Sequence, residues 1–196
     1  MQGIRSFDRK RIIIFIVIPL IVAGALIALD QITKYLVAKD QVRITVIEGF
    51  FDISFSTNPG AGFSLWADKP WAQTLFKIVT PVALVAFMVF YVFAAKKGYK
   101  WLSVALISVI SGTVGNYIDR LINGEVVDFL SFYFGSYNFP NFNVADICLT
   151  VGVIMMIFHF LFLDENAVFR KKRKAEIAGN AENTDKTEDS GDDEND

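Results

Sequence analysis

The sequence predicts a membrane all-α protein: four transmembrane helices with a small extracytoplasmic β-cradle and a disordered C-terminal tail. Apolar residues make up 53% of the 196, and 19 of them are Phe, gathered into long blocks as in membrane proteins. Four blocks, residues 12–29, 71–95, 101–118 and 144–163, each approach the about 20 residues that a helix needs to cross about 30 Å of hydrocarbon. Charge is sparse in the blocks, with only Lys77 and Asp146 inside them, and most of it lies at their ends. The net charge of -2 thus averages a neutral body with charged ends, and it identifies no partner. A single cysteine, Cys148, precludes an intramolecular disulfide framework.

Lys and Arg resist translocation and collect on the cytoplasmic side. Arg5, Arg9, Lys10 and Arg11 precede the first block, Lys96, Lys97 and Lys100 fill the second connection, and residues 170–174 (RKKRK) follow the fourth. These three places belong inside. Residues 121–145 contain no Lys or Arg, and the first connection has few, so both belong outside. The expected organisation is a cytoplasmic N-terminus (1–11), an integral membrane domain (12–169) with its β-cradle near 40–65, and a basic then acidic cytoplasmic tail (170–196).

The first block resembles a cleaved signal peptide in having RKR before an apolar run. Against that, helical periodicity runs on through Asp30, Gln31 and Lys34, and the later spans need an anchor. Asp30 and Lys34 stand at i and i+4 with the acid first, the favoured order for an ion pair. Residues 42–57, VRITVIEGFFDISFST, are rich in β-branched and aromatic side chains, with Gly49 as the turn of a hairpin. Asn58, Pro59, Gly60 and Gly62 then allow a tight turn with exposed backbone donors.

In the third block Gly112, Gly115, Asn116 and Asp119 fall on one helical stripe, and Arg120 stands at the outer end against the inside bias. For the glycines, a packing seam is the plainer reading. Asn143, Asp146 and Thr150 share a stripe in the fourth block. Cys148 lies off it and reads as a small buried hydrophobe, and His159, the only histidine, lies near the inner end. Residues 175–196 hold nine acids, one lysine and almost nothing apolar, as in a disordered segment without chemistry of its own. With a rise of about 1.5 Å per residue, Asp30, Asp119 and Asp146 all reach one outer stratum of the membrane.

No His cluster or Cys pair offers metal ligands, no Ser has a His partner, and no Gly-rich loop follows a strand to cradle phosphate. No cofactor and no nucleic-acid partner is expected. What remains is carboxylates. Asp128 in VVDF and Asp146 in NVAD sit beside apolar residues, where an acid is costly unless paired, protonated or at work. Separated by what reads as a short loop, they can converge, and two close acids share one proton and activate water as general base and general acid. A proton-coupled transporter also uses buried acids, and a non-catalytic membrane scaffold is a third reading. Transport sites, however, tend to lie near the midplane between internal repeats, and neither is evident here.

Five motifs carry a further resemblance. Asp30-Gln31-x-x-Lys34, Asn58-Pro59-Gly60-Ala61-Gly62-Phe63, Gly112-x-x-Gly115-Asn116-x-x-Asp119-Arg120, Val127-Asp128-Phe129 and Phe142-Asn143-x-Ala145-Asp146 stand in the order and spacing of the lipoprotein (type II) signal peptidases. The chain resembles that family from about residue 25 to 155. The resemblance implies an aspartic endopeptidase of the bacterial cytoplasmic membrane, active at its outer face, that removes the signal peptide from prolipoproteins by cutting just before a diacylglyceryl-modified cysteine. It makes Asp128 and Asp146 the catalytic pair. Asn58, Gly60 and Arg120 would hold the substrate backbone, Asn116 and Asn143 would orient the pair, and Asp30, Lys34 and Asp119 would brace the bundle. A monomer in contact with membrane lipids is the expected state. Ser111 and Gly62 are small departures from the family pattern, and the acidic tail is no part of it.

Overall fold

The computed structural model describes residues 9–60, 69 and 71–164. Gly62 and the tail at 170–196 lie outside the described residues. Among the described residues, four helices are long and apolar enough to cross a membrane: α1 (Arg9–Lys39), α2 (Ala72–Lys97), α3 (Lys100–Ile122) and α4 (Val144–Leu163). Their large apolar side chains are mostly exposed on α1, α2 and α4, as suits surfaces facing lipid, whereas most of the apolar stretch of α3 is buried. Helix α3 is therefore the centre of the bundle. It packs against α1 and α2, and small residues bring it close to α4. A Cβ at Gly112 would fall 2.3 Å from the Ala145 carbonyl oxygen, and one at Gly152 2.7 Å from that of Ala105. No larger residue fits either crossing without moving backbone.

Two prolines interrupt the helices, and each interruption is answered by a neighbouring tyrosine. Pro19 has no N–H for the carbonyl of Phe15, four residues back, and the Tyr91 hydroxyl of α2 donates to it at 2.6 Å. Pro81 likewise leaves the Lys77 carbonyl, which accepts from the Tyr117 hydroxyl of α3 at 3.2 Å. Bonds of this kind let a membrane helix carry proline, because hydrocarbon offers no water to the freed carbonyl.

Strands β1 (Arg43–Ile47), β2 (Phe51–Asn58), β3 (Val126–Phe134) and β4 (Tyr137–Asn138) form one antiparallel sheet in that order. The β1–β2 hairpin follows the sequence reading, with Gly49 at a left-handed φ of 70°. The connection between Asp128 and Asp146 differs from it: residues 126–138 are a second hairpin, not a short loop. Strand β3 alternates, so Asp128, Leu130 and Phe132 share one face while Val127, Phe129 and Ser131 turn to the other. After β4 the chain returns to β3, and Leu130 pairs with Phe142. That bridge delivers Asn143 and the start of α4 to the side of Asp128.

The chain divides into two compact units, residues up to Val153 and residues from Ile154 onward. Every residue of the site described next belongs to the first. In the second, the Phe158 and Phe162 rings lie 4.9 Å apart.

Candidate active site

Helix α4 begins with a reciprocal cap. Asn143 stands just before the helix and accepts the Asp146 N–H on its side-chain oxygen at 2.9 Å, while Asp146 Oδ2 accepts the Asn143 N–H at 3.1 Å. This is the capping-box arrangement, built here from Asn and Asp, and it fixes the Asp146 side chain. Its other oxygen, Oδ1, accepts from Asn116 Nδ2 at 2.8 Å. The Asn143 side-chain amide reaches the second acid as well, donating to Asp128 Oδ1 at 2.7 Å and to the Val127 carbonyl at 3.2 Å. One asparagine thus touches both carboxylates, which approach from a strand and from a helix. Asn58, at the end of β2, makes a further side-chain hydrogen bond to Asp128.

Behind the two acids lies a buried ionic cluster. Lys34 of α1 spends its three N–H donors on Asp30 Oδ2 at 2.8 Å, Asp119 Oδ2 at 2.9 Å and Asn116 Oδ1 at 2.9 Å. All of these side chains are buried, and a buried ammonium is tolerable only with such complete pairing. Gln31, which the sequence reading quoted without a role, donates to Asp30 Oδ2, Asp119 Oδ1 and the Gly115 carbonyl at 3.0 to 3.1 Å. The cluster reaches the chain on either side of the site: Asp30 Oδ1 accepts the Ala145 N–H at 2.8 Å, and Asp119 Oδ2 accepts the Val127 N–H at 3.1 Å. Gly115 leaves the room, since a Cβ there would stand 2.5 Å from Asp30 Oδ2.

Arg120 closes the other side. Its guanidinium donates to the Gly60 carbonyl at 2.9 Å and to the Asn116 carbonyl at 3.2 Å, and lies 5.1 Å above the Phe76 ring. Gly60 in turn donates its N–H to Asn58 Oδ1 at 2.9 Å, and the Pro59 carbonyl accepts from Gln73 at the start of α2. The structure therefore gathers Asp30, Lys34, Asn58, Gly60, Asn116, Asp119, Arg120, Asp128, Asn143 and Asp146 in one connected network. Gln31, Gln73 and Phe76 join it without having been assigned a role from the sequence. For Gln31 the signal was its place beside Asp30 at the polar end of an apolar helix.

A cavity of about 630 Å³ opens against this network. Asp128, Asp146, Asn58, Asn116 and Arg120 line its polar part, and Phe76, Val126, Phe139, Phe142, Ile147 and Leu149 much of the rest. Burial pushes the Asp128 carboxyl up to about 7; the neighbouring Asp146 charge adds to the rise, and hydrogen bonds from Asn58 and Asn143 oppose it. Among the described residues no cluster of His, Cys, Asp and Glu has the arrangement of a metal site. Two carboxylates on one apolar-walled cavity, one holding a proton near neutral pH, can act on water as acid and base.

A membrane-spanning helical bundle with such a pair of acids defines the class of membrane aspartic peptidases. The model of the family described as signal peptidase (SPase) II matches residues 10–162. The chain is similar to the lipoprotein signal peptidase of Symbiobacterium thermophilum, with 39% identity over 150 residues, 75% of this chain and 96% of the relative. To that of Bacillus pumilus it is 40% identical over 144 residues, covering 72% of this chain and 90% of the relative. A solved bacterial membrane enzyme, obtained by the in meso method at 2.3 Å, shares its fold with a TM-score of 0.65 and 35% identity, over 75% of this chain and 89% of that one. The chain belongs to the signal peptidase II family. It is an aspartic endopeptidase with several membrane spans, and its substrates are prolipoproteins, from which it removes the signal peptide.

Proposed function

We propose that Asp128 and Asp146 are the catalytic pair and that they cut the prolipoprotein just before its diacylglyceryl-modified cysteine. The observation that carries this is the reach of Asn143 to both acids at the wall of one cavity. Asp128, with its carboxyl pushed up to about 7, holds the shared proton, and Asp146 is the base. Asp146 takes a proton from water as the oxygen bonds to the scissile carbonyl carbon, and Asp128 gives its proton to the carbonyl oxygen. The tetrahedral species then collapses. Asp146 passes its proton to the leaving nitrogen, the C–N bond breaks, and the proton on the carbonyl oxygen returns to Asp128.

Asn116 and Asn143 orient the pair. Asn58, Gly60 and Arg120 hold the substrate backbone beside it, and Asp30, Lys34 and Asp119 brace the helices. The distribution of Lys and Arg supports a cytoplasmic N-terminus at 1–11, a peptidase domain at 12–169 and a cytoplasmic tail at 170–196, with the site at the outer face of the membrane. At that level the end of a membrane-embedded signal helix meets the carboxylates. The lipid on the cysteine lies against the Phe-rich sheet, where Phe51, Phe132 and Phe142 stack at 4.5 and 5.7 Å. The enzyme works as a monomer.

The test is incubation of the purified protein with a lipid-modified prolipoprotein. A product shortened to the lipidated cysteine is expected. Proton flux in liposomes without any cleavage would instead make the buried acids a transport site.

A further inference from the structure

Threonine and serine hydroxyls in apolar helices ordinarily bond back to the carbonyl one turn earlier, and this chain follows the habit. Thr33, Ser103, Ser111 and Thr113 all donate to the carbonyl four residues before them, and Ser108 donates instead across to the Cys148 carbonyl of α4. Thr80 of α2 and Thr150 of α4 do not: among the described residues neither hydroxyl has a hydrogen-bond partner, and both line the cavity. An uncommitted hydroxyl at hydrocarbon depth is costly unless something in the cavity receives it. Thr150 lies four residues beyond Asp146 along α4, about 6 Å deeper. Thr80 lies four residues beyond Phe76, whose ring sits under the Arg120 guanidinium. The two hydroxyls thus stand on facing helices about one turn past the polar floor of the site.

We propose that Thr80 and Thr150 bind the main chain of the signal peptide about two residues before the scissile bond. The inference rests on the peptidase reading above. A peptide must leave the helical form to present its bond to two carboxylates, and the N–H and C=O groups it frees then lie in hydrocarbon without partners. About 6 Å of extended chain is roughly two residues, which places those freed groups at the two threonines. A hydroxyl both donates and accepts, so it serves either group whatever side chain the residue carries. This arrangement recognises the unwound backbone and leaves sequence preference to the apolar walls.

The experiment uses the full-length protein in bilayers, the Thr80→Val/Thr150→Val pair, which keeps shape and removes both hydroxyls, and the Thr80→Ser/Thr150→Ser pair, which keeps them. For a lipidated prolipoprotein peptide, kcat/KM is expected to fall roughly 10- to 100-fold in the valine pair and by about threefold or less in the serine pair, given two lost hydrogen bonds of ordinary strength. A matched substrate with an ester in place of the amide two residues before the cut removes an N–H and weakens a carbonyl acceptor. That ester is expected to cost the wild-type protein roughly tenfold and the valine pair little. A valine pair with wild-type kcat/KM, or an ester penalty equal in both proteins, overturns the inference while wild-type cleavage leaves the peptidase reading standing. Wild-type protein that leaves the lipidated amide uncut overturns both.

Discussion

Asp30 and Asp119 hold equivalent places in the site: each accepts the main-chain N–H of the residue just before one of the two facing acids. Asp30 takes that of Ala145, before Asp146, at 2.8 Å, and Asp119 takes that of Val127, before Asp128, at 3.1 Å. Lys34 joins the two bracing carboxylates at 2.8 and 2.9 Å. The position of strand β3 against the start of α4 is thereby tied to one ammonium group on α1. Substituting that group tests the brace.

Lys34→Met keeps the length of the side chain and leaves two buried carboxylates without their shared cation. Removing one partner of a buried pair costs about 3–5 kcal/mol, so a clear fall in thermal stability in detergent is expected, together with loss of turnover. Unchanged stability would show that the cluster contributes little to holding the bundle.

Glycine substitutions separate packing at the site from packing elsewhere. Gly112→Ala and Gly115→Ala drive a Cβ toward the Ala145 carbonyl and the Asp30 carboxylate, whereas at Gly24 nothing lies within 4 Å of the added carbon. The first two are expected to lower turnover at least tenfold, as misplacement near reacting groups does. Gly24→Ala should leave turnover unchanged and stability equal or slightly raised. Equal behaviour of the three in a cleavage assay would contradict this account of the α3 seam.

The Asp128 proton sets a pH dependence. Its carboxyl is pushed up to about 7 from an ordinary 3.8, so the folded protein holds a proton there that the unfolded chain releases. The stability linked to this group is full below about 4 and is lost as pH rises through about 7. With Asp128 as the proposed acid, turnover is expected to fall on the alkaline side with a midpoint near 7. Asn143 opposes the rise, so Asn143→Ala should move that midpoint upward. A profile of kcat against pH that is flat between 6 and 9 would remove Asp128 as the acid.

Lipid on the substrate should matter through partitioning, at about 0.8 kcal/mol per buried CH₂. Substrate without the diacylglyceryl group is expected to be cut far more slowly, and Phe51→Ser or Phe132→Ser should narrow the difference by slowing the lipidated form. Equal rates for matched lipidated and unlipidated substrates would mean that the aromatic stack serves the fold alone.

Much of this arrangement was legible in the chain because periodicity and depth carry it. The i, i+4 spacing of Asp30 and Lys34 gave their ion pair, and the stripe through Gly112, Gly115, Asn116 and Asp119 gave the face that meets α1 and α4. Strand β3 is not announced by polar alternation, since Asp128 and Ser131 in VVDFLSFYF stand three apart, although its β-branched and aromatic content and the Gly135-Ser136 pair that follows suit a hairpin. A run apolar on both faces carries no period of two, so the stretch between Asp128 and Asp146 reads from sequence as a short loop. The bonds from Asp119 to Val127 and from Asp30 to Ala145 depend on how the strand and α4 return to the bundle, which local patterns do not encode.

The proposed roles of Asp128 and Asp146 are measured most directly by single-turnover cleavage of a lipidated prolipoprotein by Asp128→Asn and Asp146→Asn proteins. Both substitutions keep the shape of the side chain and remove its proton-transfer role. Each is expected to retain normal thermal stability in detergent and to lower the cleavage rate by at least about 10³-fold, within the range that a lost general acid or base costs. Either folded variant cutting the substrate within about tenfold of the unsubstituted protein would contradict the assignment.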